Sequence, residues 1–235
     1  LILLLEEGNR FSIDIDIICK TDRESLEVIL YKVIDSSRFK SFELDEHRSY
    51  KEGIPKAHYS FSFDSVTKGK YSGTILLDIL IEDSNYPELT ERPVQAKWIE
   101  TEKETNITVP TIDAITGDKL TAFAPNTVGI PYFKGKDQQP FSMEICKQLF
   151  DLSRLFERIE NIEIVAQSFE VFANQEIEYR KTETSNLTRN KVLQDTIDTC
   201  AIIAKRGRGT NDEKQKFKEL QKGILAFGTG FLMNG

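Results

Sequence analysis

Apolar and polar residues alternate from Phe11 to Lys20, with Phe11, Ile13, Ile15 and Ile17 on one face and Ser12, Asp14, Asp16 and Ile18 on the other. A period of two predicts a half-buried strand. Across Arg23–Ser36 the spacing changes to three and four: Leu26, Ile29, Leu30, Val33 and Ile34 form a helical stripe, with Asp22 at the N-cap. Short strands are predicted over Phe39–Leu44 and His58–Asp64. Thr74–Glu82, TILLDILIE, is the most apolar strand-like run and is expected in the middle of a sheet. Trp98–Val109 has a weaker, edge-like pattern. Leu1–Glu7 reads as the end of a helix stopped at Gly8-Asn9.

After Pro110 the pattern becomes helical. Thr111 is placed to cap a helix over Ile112–Ala124, ended by Pro125. A loop over Asn126–Pro140 precedes helices over Ser142–Ile159 and Ile164–Phe172. A polar stretch, Asn174–Asn190, separates these from a final pair, Lys191–Lys205 and Asn211–Leu225, joined by Arg206–Thr210. The expectation is an α+β lobe over residues 1–110, a mixed sheet with flanking helices, followed by a C-terminal helical lobe over 111–235.

Composition narrows the function classes. With 235 residues, 39% hydrophobic and 29% charged, the chain has the balance of a folded protein. Its net charge of −7 argues against wrapping nucleic acid over a broad surface and leaves room for a local basic cleft. Cys19, Cys146 and Cys200 are scattered in apolar runs, and only two histidines accompany them, which makes a zinc site a poor reading. Buried free thiols suit a reducing, cytoplasmic setting. No apolar run approaches the roughly 20 residues of a membrane span, so no membrane partner is expected. The first residue is Leu, so the natural N-terminus is expected upstream.

Asp14 and Asp16 are the sharpest chemical signal. On a strand, residues two apart project from one face, about 6.6–6.8 Å apart. Paired carboxylates there suit Mg²⁺ or Mn²⁺, which take hard oxygen ligands and leave positions for phosphates. They equally suit the wet face of an edge strand. Asp78, the one charge inside TILLDILI, is the candidate third carboxylate. Lys119 falls in the middle of a stripe of Ile112, Ile115, Ala122 and Phe123. It either snorkels outward or meets an anion. In the helix over Met143–Ile159, Ile145, Leu149, Leu152, Phe156 and Ile159 read as the core stripe. Lys147, Asp151, Arg154 and Arg158 line another face, for which a solvated charge ladder is the plain explanation. Lys205–Arg208 reads as an inter-helix turn or as a contact for RNA phosphates.

The phrase from Arg10 to Ile17, RFSIDIDI, resembles the signature of the AbiEii/AbiGii-type nucleotidyltransferase toxin family, a DNA-polymerase-β-like group that includes the MenT toxins. Gly117–Pro125, GDKLTAFAP, is similar to a second family segment, and Lys147–Leu152, KQLFDL, to a third. Gln148 stands where the family usually has Asp. The resemblance implies Mg²⁺ ligation by Asp14 and Asp16, with Asp78 as third ligand or general base. It also implies phosphate contact by Lys119, an active-site role for Asp151, and Arg10, Ser12 and Lys147 on the nucleotide side. The implied reaction moves a nucleoside monophosphate from an NTP to RNA or tRNA, as the toxin of a toxin–antitoxin or phage-defence system with an antitoxin partner. Two other readings remain: a catalytically silent scaffold of the same fold, and transfer to a small molecule such as an antibiotic. The family's glycine turn is expected just before Leu1, and without it NTP binding is expected to be weak. The sheet edge beside Phe11–Lys20 is expected to be exposed or covered by a second copy of the chain, as in a homodimer.

Overall fold

Strands with one apolar and one polar face build the sheet that carries the candidate carboxylates. The computed structural model describes residues 1–5, 10, 14–51, 54–66, 72–97, 99, 101–180 and 186–230. Phe11, Ser12 and Ile13 of the first predicted strand, and the Gly8-Asn9 stop, lie outside them. The chain begins with helix α1 (Ile2–Leu5), strand β1 (Asp14–Ile18), helix α2 (Arg23–Ser36) and strand β2 (Phe39–Leu44). A short helix α3 (Glu46–Ser49) leads to strands β3 (Tyr50–Lys51), β4 (Ile54–Asp64) and β5 (Ser72–Leu80). The sheet order is β1-β5-β4-β2, with β3 paired to the start of β4. β1 runs parallel to β5, whereas β4 is antiparallel to both β5 and β2.

The remaining described elements are a hairpin of β6 (Leu89–Pro93) and β7 (Asn106–Pro110), helix α4 (Ile112–Ala122), and a small ribbon of β8 (Phe133–Lys134) and β9 (Gln139–Pro140). Helices α5 (Ser142–Phe156), α6 (Ile162–Tyr179), α7 (Arg189–Lys205) and α8 (Asn211–Gly230) follow. The expected α+β class, with a mixed sheet, flanking helices and a helical C-terminal part, is the class observed.

Two compact units emerge: Ser12–Ser84, and Leu1–Phe11 together with Asn85–Gly235. The strand-to-helix change at Pro110 suggests a break there, yet the β6–β7 hairpin groups with the helices. Tyr86 is one physical reason: its hydroxyl donates to Asp118 Oδ2 at 2.6 Å and its ring packs on Phe172 at 4.6 Å.

In the sheet unit, Ala57, Tyr59 and Phe61 of β4 and Leu77 and Ile79 of β5 form the core face, covered by Leu26 and Leu30 of α2. Asp22 caps α2, accepting from Ser25 N at 2.9 Å. β5 lies between β1 and β4, in the interior position expected for it. β1 is less covered than its alternation suggests. It is an edge strand, and Ile15 and Ile17 are 50% and 42% exposed.

The helical unit has two cores. One gathers Phe123, Tyr132, Ile145, Leu152, Ile202, Leu220 and Phe227; the other Ala124, Val128, Phe169, Ala173 and Val192. Thr111 caps α4 as expected, accepting from Ala114 N at 3.3 Å. α6 runs seven residues beyond the predicted stop at Phe172. Ile177 still packs on the second core there, while its polar neighbours face outward and a Gln175–Tyr179 hydrogen bond spans one turn. β6 lies outside the predicted strands, because its polar LTERP sequence finds order only through pairing with β7. Of the three thiols Cys146 is buried, its pKa pushed by burial up to about 11, whereas Cys200 is exposed, against the expectation of buried thiols. No described helix is long and apolar enough to cross a membrane.

α4 and α6 meet at Gly117, where a Cβ would lie 2.4 Å from Val165 O and 2.6 Å from Phe169 N. Backbone atoms cannot yield as side chains do, so Gly117→Ala should cost about 1–3 kcal/mol, as overpacking does. A Cβ added at Gly228 in α8 would meet nothing within 4 Å; Gly228→Ala should stabilise by about 0.5–1 kcal/mol through helix propensity. Urea unfolding of both variants checks the contrast, and a neutral Gly117→Ala would refute the close packing.

Candidate functional site

The sheet unit brings three of the assigned residues onto one face. Parallel pairing sets Asp16 opposite Asp78, with Ile15 opposite Leu77 and Ile17 opposite Ile79. Leu77 and Ile79 point into the core, so Asp78 and Asp16 take the other face, and Asp14, two residues from Asp16, shares it. Neighbouring strands lie about 4.8 Å apart, so this register holds like charges close together. Among the described residues no three His, Cys, Asp or Glu side chains are gathered tightly enough to hold a metal ion. The carboxylates share a face without forming a closed cluster.

Asp78 instead has protein partners. His58, its register partner on β4, hydrogen-bonds through Nδ1 to Oδ1 at 2.6 Å. Arg48 Nη2 donates to Oδ2 at 3.3 Å. An ionised carboxylate only accepts, so against one this bond requires the Nδ1–H tautomer. Local geometry fixes both partners. Asp45 Oδ1 accepts from Arg48 N at 3.1 Å and starts α3, while His58 N donates to the buried Ser49 Oγ at 2.9 Å. Sequence reasoning gave neither Arg48 nor His58 a role. One signal pointed to His58: it is polar inside an alternating strand, on the same parity as Ser60 and Ser62.

The helical unit holds a second constellation. Asp151, 1% exposed, accepts from Arg10 Nε at 2.7 Å and Arg10 Nη2 at 2.8 Å, a two-pronged pair. Lys119 Nζ lies 3.0 Å from Asp151 Oδ2 and donates to Gln148 Oε1 at 3.0 Å. Lys119 therefore does not snorkel into solvent; its side chain is 16% exposed and faces an anion on its own chain. Asp151 does not belong to a solvated ladder either. Ile145 and Leu152 of the predicted stripe are buried and Leu149 packs against the same core, but the buried face also takes in Cys146, Asp151 and Leu155, and Phe156 is 52% exposed. Burial pushes the Asp151 carboxyl up, but the Arg10 hydrogen bonds and the Lys119 and Arg10 charges outweigh it and hold the pKa below its ordinary value.

Ser12 lies outside the described residues. Lys147 forms a 2.9 Å ion pair with Glu144, one turn away. Lys205–Arg208 forms the inter-helix turn, with Arg206 left-handed at φ 50° and Lys205 paired to Glu213. Three described buried acids escaped the sequence reading: Glu219 accepts from the Gln215 and Lys222 side chains, while Asp113 and Asp195 pin backbone. Asp113 accepts from Glu160 N and Asn161 N at 3.0 Å, anchoring the start of α6, and Asp195 accepts from Asn126 N at 2.7 Å.

A family model described as nucleotidyl transferase AbiEii toxin, type IV TA system, matches residues 1–226. No individually curated protein matches the chain.

Asp151→Ala should destabilise the helical unit by about 3 kcal/mol, the low end for breaking a buried pair, since Arg10 and Lys119 keep some solvent access. A lowered folded-state pKa contributes stability above the unfolded value, about 3.9, that disappears as pH falls through the folded value. Urea midpoints of the wild type should therefore fall on acidification below about pH 4, and Asp151→Asn should lose part of that slope. An unchanged slope would show that Asp151 is not held ionised by its partners.

Proposed function

The chain belongs to the AbiEii nucleotidyl transferase toxin family of type IV toxin–antitoxin systems, and we propose that it transfers a nucleoside monophosphate from an NTP to an RNA such as tRNA. In this reading Asp14, Asp16 and Asp78 hold Mg²⁺ or Mn²⁺, and an antitoxin restrains the activity. The observation that carries it is the β1–β5 register, which sets Asp16 opposite Asp78 with Asp14 on the same face. Three hard oxygen donors match the preference of Mg²⁺, and the Arg48 guanidinium against Asp78 supports a preference for positive charge there. A bound divalent ion would supply Lewis acidity and neutralise phosphate charge.

The chain's own residues divide the remaining work. His58 orients the Asp78 carboxylate. Asp151 keeps Lys119 and Arg10 ordered, at the cost of engaging two of the three ammonium donors of Lys119 with Asp151 and Gln148. Lys119 serves the nucleotide phosphates, where charge develops as the bond breaks. Ser12 and Lys147 are assigned to the nucleotide side by family resemblance.

Incubation of the protein with each labelled NTP and total RNA, with and without Mg²⁺, tests the reading. Asp14→Ala and Asp16→Ala should abolish label transfer and leave circular dichroism and thermal stability unchanged or improved, because like charges are relieved. Transfer that survives Asp16→Ala would sink the metal assignment, and labelling of a small molecule without RNA would sink the acceptor. Lys119→Met should weaken NTP binding roughly tenfold to a hundredfold, the worth of one hydrogen bond to a charged group at about 1.5–3 kcal/mol. It should also lower stability, since Lys119 is tied to Asp151.

A further inference from the structure

Asp78 uses its two oxygens differently. Oδ1 is engaged by His58 at 2.6 Å, from a side chain 12% exposed, and Oδ2 by Arg48 at 3.3 Å, from a side chain 45% exposed. The first bond is short and sheltered; the second is long and open to water. His58 Nε2 is buried and has no hydrogen-bond partner among the described residues, where the ring is held through its Nδ1 by Asp78. Buried polar atoms are rarely left unpaired without a reason. Asp16 stands opposite Asp78 in register, so Arg48 reaches Asp78 on a face that carries a second carboxylate.

We propose that Arg48 is a placeholder cation on Asp78, occupying the Oδ2 side until a divalent metal displaces it, while His58 acts as a positioning residue that keeps the carboxylate from turning during the exchange. The proposal rests on the reading that Asp14, Asp16 and Asp78 hold a metal. A monovalent guanidinium holds Oδ2 only weakly, because a half-exposed ion pair competes with water. A divalent ion carries twice the charge and shares it among several oxygens. The exchange needs one carboxylate oxygen to stay anchored, or the side chain would follow the departing arginine. Hydrogen bonds behind a metal-binding carboxylate serve this orienting purpose generally.

The test is Mn²⁺ affinity without nucleotide, read from the electron paramagnetic resonance signal of free Mn²⁺. Arg48→Ala and Arg48→Gln should each bind Mn²⁺ roughly two- to fivefold more tightly than wild type, the range set by a partly exposed ion pair. The gap should narrow at high salt, where such pairs are screened. His58→Leu should bind about tenfold more weakly, and His58→Asn, whose amide can replace Nδ1–H, should recover most of the loss. Unchanged or weaker binding in both Arg48 variants overturns the placeholder, and His58→Asn no better than His58→Leu overturns the positioning role. Wild-type protein with no Mn²⁺ binding that depends on Asp14 and Asp16 would overturn both this inference and the metal reading beneath it. Wild-type binding with indifferent Arg48 variants would overturn this inference alone.

Discussion

Parallel pairing of β1 with β5 forces Asp16 and Asp78 to face each other across one strand spacing, with Asp14 one pleat away. Much of the open face of the sheet answers that concentration of negative charge. A slip by one residue would turn Asp14 and Asp16 to the side on which Leu77 and Ile79 are buried, although Ile15 and Ile17 on that side stay about half exposed. The pleat thus sets the acidic face, and Asp78 on it is met by Arg48 of α3 and His58 of β4.

The helical unit handles charge in the opposite way. Its central carboxylate is buried among apolar neighbours and surrounded by cations, so Asp151 stays ionised despite desolvation. A buried ion pair of this kind adds little net stability compared with an apolar core, but removing one partner strands the others. It holds Arg10 and Lys119 in fixed geometry. Gln148 contributes to that ordering as an acceptor for Lys119.

The described aspartates also differ in the partners they hold. Asp113 and Asp195, both buried, accept backbone N–H groups and tie elements together. Among the described residues, Asp78 and Asp151 accept from cationic or titratable side chains.

Local periodicity is legible in one dimension, and it determined the α+β class, the Asp22 and Thr111 caps, the interior position of β5 and the shared face of Asp14 and Asp16. Each of these depends on residues two to four apart. The same reasoning failed where a longer-range contact outweighed the local pattern. α6 continued past Phe172 because Ile177 found a core, and LTERP became a strand because β7 paired with it. The buried face of α5 also takes in Asp151, which meets Arg10, 141 residues earlier in the chain. Tertiary structure alone decided that Asp16 faces Asp78, that Asp78 is shared by His58 and Arg48, and that Lys119 and Asp151 form a pair. A sequence pattern states which side chains share a face of one element, whereas the identity of a charged side chain's partner is set only when separate elements pack.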